Sequence, residues 1–131
     1  MTVSAPSGST CSAFPLVLAV LTGVAFGALG TAAHQATIVV AGIAAPWGAI
    51  LAIAGVATLL VGLRVEFRNR VAPLASAIGV VLTVSLFSFR SPGGSVLVPN
   101  NALGVVWSLA PAVLAIVVLC WPRLARRIGV E

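Results

Sequence analysis

The chain has 131 residues, 60 % of them hydrophobic and only 7 % charged, with seven arginines against two glutamates and a formal net charge of +5. So few charges cannot clothe a soluble domain, where roughly 25 % of residues are charged, and the mean hydropathy of +1.20 makes lipid the solvent for most of the chain. The positive balance is not that of a nucleic-acid binder, because six of the seven arginines lie in two short clusters beside apolar segments, with no basic helix face and no aromatic stacking platform.

The first thirteen residues are small and polar, with Pro6 and Gly8, and read as a disordered cytoplasmic tail. They lack the basic start of a signal peptide, and no apolar signal run precedes Cys11, so a lipoprotein cysteine is not expected there. Ala28-Leu29-Gly30 and Thr31-Ala32-Ala33 loosely resemble cleavage sites, in a chain where small residues are common throughout; cleavage is not expected.

Residues 14–32 form the first expected span, long enough at about 1.5 Å per residue to cross a hydrocarbon core of roughly 30 Å. Ala19, Gly23 and Gly27 recur every fourth residue and so share one helix face. Small residues at that spacing let helix backbones approach closely, which matters in lipid because no hydrophobic force drives helices together there. His34-Gln35 then interrupt the apolar run, which resumes over Ala36–Ala45 and stops at Pro46. The uncharged stretch from Phe14 to Leu63 is fifty residues, enough for two spans and a link of about ten. Pro46 suits the first position of a helix, where its missing N–H costs nothing, so the second span is placed at 46–63, with extension towards Phe67. The greasy link is expected in the membrane interface or as an extension of one of the helices, with Trp47 at headgroup level.

Arg64-Val65-Glu66-Phe67-Arg68-Asn69-Arg70 is the central loop and holds three of the seven arginines. Glu66 and Arg70 stand four apart in the favourable order for a helical ion pair, should the helix reach that far. Pro73 opens the third expected span, 73–89, where Ala75, Gly79 and Thr83 form a second small-residue stripe; Arg90 closes it. Ser91-Pro92-Gly93-Gly94-Ser95 reads as a turn. Asn100 or Asn101 is a candidate cap for the fourth span, 102–121, in which Gly104, Ser108 and Ala112 make a third stripe. Trp107 and Trp121 are expected in the two aromatic belts, and Pro111 should kink the helix by depriving the Trp107 carbonyl of its partner. Residues 122–131 are a basic tail.

With four spans, both termini and the central loop share a side. That side carries Arg64, Arg68, Arg70, Arg123, Arg126 and Arg127, and the other only Arg90. Six against one is a strong positive-inside bias, so both termini are expected in the cytoplasm, in the inner membrane of a bacterium; the all-Arg, Ala- and Gly-rich composition is what a GC-rich genome would encode. Cys11 and Cys120 then face a reducing compartment, and no disulfide is expected.

Constellations that carry chemistry are almost absent. There is no Asp, hence no Ser-His-Asp set; the two glutamates lie in a loop and the tail; one His and two distant Cys make no metal site; no phosphate loop occurs. No catalytic residue and no cofactor is expected. No ionisable residue falls near the centre of a span, where proton-coupled pumps need one. The small multidrug exporters share the length and the four helices, but their membrane-embedded Glu in the first helix has no counterpart in 14–32. The one suggestive grouping is His34, Gln35, Arg90, Ser95, Asn100 and Asn101, which the topology brings to one surface; it would suit an anionic lipid headgroup or the acidic loop of a partner, unless His34 and Arg90 merely snorkel to water from helix ends.

Gly30-Thr31-Ala32-Ala33-His34-Gln35, Pro46-Trp47-Gly48 and Val96-Leu97-Val98-Pro99-Asn100-Asn101-Ala102-Leu103-Gly104 resemble segments of the small actinobacterial four-helix membrane proteins of unknown function. That resemblance implies the four-helix architecture and no activity. The expected fold is therefore an all-α, four-transmembrane-helix bundle. The leading expectation for its work is a non-enzymatic accessory or structural protein that packs, through its small-residue stripes, against other membrane proteins or as a homo-oligomer. The alternative is a small transporter or flippase-like protein with a cavity lined by Thr83, Ser85 and Ser108 beside Pro111.

Overall fold

The computed structural model describes residues 13–67, 69–89, 98 and 100–122. Four helices make up most of this: α1 (Ala13–Ala33), α2 (Trp47–Glu66), α3 (Val71–Ser88) and α4 (Ala102–Cys120), with two short strands, β1 (Ile38–Val40) and β2 (Ile43–Ala45), between α1 and α2. All four helices are long and apolar enough to cross a membrane. The protein is a multi-pass, all-α membrane four-helix bundle, and its spans match the expected ones to within three residues at each end. The expected tail before residue 13, Arg68, Arg90, the turn after it, and Arg123, Arg126 and Arg127 lie outside the described residues.

Consecutive spans alternate in direction, so the bundle has a hairpin end, where α1 and α3 finish and α2 and α4 begin, and a turn end around residues 67–70. α1 packs most closely on α3, and α2 contacts both of them and α4. The closeness of α1 to α3 has a simple cause. A Cβ on Gly23 would collide with the Ser76 carbonyl, one on Gly79 would lie 2.6 Å from the Val20 carbonyl oxygen, and one on Gly27 3.0 Å from the Thr83 Cβ. Two stripes that the sequence shows separately are thus the two halves of one backbone-to-backbone seam. The remaining buried side chains, among them Val56 and Leu60 of α2, Val80 and Val84 of α3 and Trp107 and Val118 of α4, fill the centre. Large apolar side chains such as Leu51, Leu82, Leu109 and Ile116 point outwards, as a lipid solvent permits.

Helix ends are set by local chemistry. Asn101 caps α4, its Oδ1 accepting from the Gly104 N–H at 2.8 Å. Pro46 is the N-cap of α2 rather than its first residue, and the Gly48 N–H is satisfied by the Ala36 carbonyl at 3.0 Å. At the turn end α2 stops at Glu66 and Phe67 is extended, so Glu66 and Arg70 do not have the helical spacing of an ion pair. Asn69 Oδ1 accepts from the Val71 N–H at 3.3 Å. α3 begins two residues before Pro73, which occupies the first turn, where no helical N–H is needed.

The link between α1 and α2 does not extend either helix. Ile38 pairs with Ala45, Val39 with Ala44 and Val40 with Ile43, in an antiparallel hairpin. Ala41 and Gly42 have φ of +53° and +83°. Positive φ at both central residues is the mark of a type I′ turn, whose twist matches that of the flanking strands.

Candidate functional site at the hairpin end

The polar residues of the hairpin end gather where the last turn of α1 meets the first turns of α4. Thr31 is buried and its hydroxyl donates to the Gly27 carbonyl at 2.7 Å, as β-branched hydroxyl residues in helices do. The same oxygen accepts the indole N–H of Trp107 at 3.1 Å. Trp107 is fully buried, its ring edge lying where a Cβ on Gly30 would be. It is therefore a core plug and not a belt residue, a correction that follows from packing: Gly30 leaves room for an indole, and Thr31 supplies the acceptor that makes burying its N–H tolerable. Trp47 and Trp121 are exposed, at opposite ends of the bundle.

His34 stacks near the Trp107 ring, with centroids 6.0 Å apart and planes 16° from parallel. It is completely buried and so neither snorkels to water nor meets a headgroup. Its Nδ1 is 2.7 Å from the Thr31 carbonyl, which can only accept, and its Nε2 is 2.9 Å from the Gln35 amide nitrogen, which can only donate. With these partners Nδ1 is the donating ring nitrogen and Nε2 the accepting one. The Gln35 amide in turn faces Asn101: its nitrogen donates to Asn101 Oδ1 at 3.5 Å, and Asn101 Nδ2 donates to Gln35 Oε1 at 3.4 Å. Thr31, His34, Gln35, Trp107 and Asn101 form a continuous polar clasp joining the end of α1 to the start of α4, and through the Asn101 cap it reaches the α4 backbone.

Of the suggested surface group, then, His34 is internal, Gln35 is half-buried and Asn101 exposed in the clasp, and Asn100 is exposed beside it; Arg90 and Ser95 lie outside the described residues. Asn100 lines a groove of about 340 Å³ with Ser88, Val98, Gly104, Val105, Ser108 and Leu109. The Ser88 and Ser108 hydroxyls both donate to their own helix, at the Val84 and Gly104 carbonyls, 2.8 Å away in each case. The cavity expected from Thr83, Ser85 and Ser108 does not form: Thr83 is buried against Gly27 and donates to the Gly79 carbonyl, Ser85 is exposed, and only Ser108 lines the groove.

The small-residue stripes divide. Ala19, Gly23, Gly27 and Gly79 are buried, while Ala75 is only half-buried because Ser76 takes the place opposite Gly23. In α4, Gly104 is buried but Ser108 is exposed and Ala112 half-buried; the inward face runs through Gly104, Trp107 and Pro111 instead. A plug as large as indole rotates the packed face away from the small residues. Sequence reasoning missed Gly30 and Thr31, whose signal was their helical spacing from Gly27.

At the turn end, Arg64 is a second surprise. It was expected in a solvated loop, but it lies in the last turn of α2, is 8 % exposed, and its Nη2 donates to the Trp121 carbonyl at 3.3 Å. A guanidinium at the C-terminal carbonyls of α4 is favourably placed in the helix dipole. Arg70 is exposed. Cys120 is an exposed free thiol. Among the described residues no group of three His, Cys, Asp or Glu side chains could hold a metal ion. No family model, curated protein or solved structure matches the chain.

Proposed function

We propose that this is a non-enzymatic accessory protein of the bacterial inner membrane, with both termini cytoplasmic, that packs against another membrane protein or a second copy of itself. The observation that carries the reading is the outward face of α2. Ala54, Thr58 and Gly62 follow at four-residue spacing and all are exposed, and no described residue lies within 4 Å of where a Gly62 Cβ would be. The Thr58 hydroxyl is spent on the Ala54 carbonyl at 2.8 Å, so the face offers shape rather than hydrogen bonds. The comparable stripes of α1 and α3 are used against each other inside the bundle. A small-residue groove left facing lipid has the shape that lets a further helix approach closely. The excess of arginines on the side of the central loop and the tail supports the orientation.

The test is native mass spectrometry from mild detergent or nanodiscs, comparing the unaltered chain with Gly62→Leu. A dimer, or a defined co-purifying membrane protein, lost in Gly62→Leu is the expected result. A chain that is monomeric and alone in both forms sinks the reading.

A second reading, a small transporter or flippase-like protein, is favoured by the 340 Å³ groove between the end of α3 and the start of α4. It requires ligand-dependent thermal stabilisation of the purified protein by some member of a lipid and small-amphiphile panel. No shift with any of them discards it.

A further inference from the structure

The hairpin from Ile38 to Ala45 contains no side-chain polar atom. Ile38, Val39, Val40 and Ile43 expose 51, 69, 60 and 72 % of their surface. Because directly paired residues share a face, Ile38, Val40, Ile43 and Ala45 lie on one side and Val39 and Ala44 on the other, so both sides are apolar. The sheet has two strands, and so each strand keeps one unpaired edge of N–H and C=O groups among the described residues. The base of the hairpin is pinned at the level of the helix ends: Ala36, just before it, accepts from Gly48 of α2, and Trp47, directly after Pro46, is exposed at that level.

Each alternative surrounding fails on one of these facts. The hydrocarbon core cannot satisfy the unpaired strand edges. Bulk water would leave four large apolar side chains bare on two faces. A second hairpin pairing edge to edge would satisfy one edge and still leave both faces uncovered. The boundary between headgroups and acyl chains meets them together: water reaches the edges, the acyl chains cover Ile38, Val40 and Ile43 on one face, and the carbon atoms of the headgroup layer lie over Val39 on the other. We propose that the hairpin lies flat in this boundary layer and that its partner is the lipid of one leaflet. Length decides the tilt. Strands of three residues with their turn reach roughly 10–13 Å, whereas the headgroup layer on each side is only about 5–8 Å deep, so an upright hairpin would carry Val40 and Ile43 through it into water. This inference stands apart from the α2 face and is tested separately.

The probe is a single cysteine, Val39→Cys, in a full-length chain that also carries Cys11→Ser and Cys120→Ala, labelled with an environment-sensitive fluorophore in phosphatidylcholine nanodiscs. Nitroxide lipids labelled at the headgroup, at the top of the acyl chain or at its end report depth, and aqueous iodide reports exposure to water. Leu82→Cys, which is lipid-facing within α3, is the inserted control and should lose most fluorescence to the deepest nitroxide. For Val39→Cys the largest loss is expected from the headgroup and upper-chain nitroxides, with little from the chain end and little from iodide. Strong iodide quenching with no nitroxide gradient, or a maximum at the chain end like that of Leu82→Cys, overturns the proposal. So does protection from every quencher together with disulfide formation between unlabelled Val39→Cys copies, which would assign the hairpin to a second chain.

Discussion

The indole N–H of Trp107 in α4 donates to the hydroxyl of Thr31 in α1 across 3.1 Å, joining residues 76 positions apart in the chain. α1 packs on α3 and α2 rather than on α4 along most of its length, so this bond and the clasp around it are what tie the first helix to the last.

Thr31→Val keeps the shape of the side chain and removes the acceptor, leaving a buried indole N–H unpaired. Buried hydrogen bonds between membrane helices average about 0.6 kcal/mol, and a stranded donor costs about 1–3 kcal/mol. Trp107→Phe should therefore lower the melting temperature in detergent less in the Thr31→Val background than in the unaltered chain. Additive losses across the double-mutant cycle would show that the two residues do not couple.

Gly23→Leu and Gly27→Leu force a bulky chain into the α1–α3 seam and should destabilise the protein alike, by at least about 1–3 kcal/mol. Val24→Leu, on a residue 39 % exposed and one position further round the helix, should be nearly neutral. The comparison is made by thermal unfolding in detergent; equal behaviour of all three variants would mean that the seam does not hold the helices.

Ser76 is completely buried, and its hydroxyl has no hydrogen-bond partner among the described residues. An unmet buried hydroxyl is a standing cost of about 1–3 kcal/mol. Ser76→Ala keeps the small volume opposite Gly23 and should raise the melting temperature, whereas Ser76→Val should lower it by overfilling the seam. A fall with Ser76→Ala would mean that the hydroxyl is engaged.

The three arginines of the central segment should separate into two roles. Arg64→Gln removes the donor to the Trp121 carbonyl and should reduce thermal stability. Arg70→Gln, at an exposed position, should leave stability unchanged. Neutralising Arg64, Arg68 and Arg70 together should mix the topology, with partial rescue by Arg123, Arg126 and Arg127. Reporter fusions read the orientation: cytoplasmic reporters active after Glu131 and periplasmic reporters active at Gly94 are expected, and an active periplasmic reporter at Asn69 would contradict the four-span arrangement.

Ala41 holds a φ of +53°, which costs a residue with a Cβ about 1–2 kcal/mol. Ala41→Asn or Ala41→Gly should relieve it, and slower amide exchange at Val40 and Ile43 is the expected signature.

What the sequence determined by itself is the set of spans, because the choice between lipid and water is made by the composition of each twenty-residue window and needs no knowledge of neighbours. The Asn101 cap was legible for the same reason: it depends on residues three apart. The hairpin was written in Thr37-Ile38-Val39-Val40 and Ile43, β-branched residues on either side of Ala41-Gly42, but a turn without Asn or Asp is a weak signal inside an apolar run. Tertiary structure alone decided the partners. Glycine stripes say that a close approach will occur, and only the bundle pairs Gly23 with Ser76 while leaving Gly62 open. Trp107 has the sequence position of a belt residue, yet Gly30 and Thr31, far away in the chain, provide the space and the acceptor that draw it inside. His34 and Arg64 follow the same logic: each is a polar residue at a helix end, and whether it meets water or the end of another helix depends on what the fold brings opposite it.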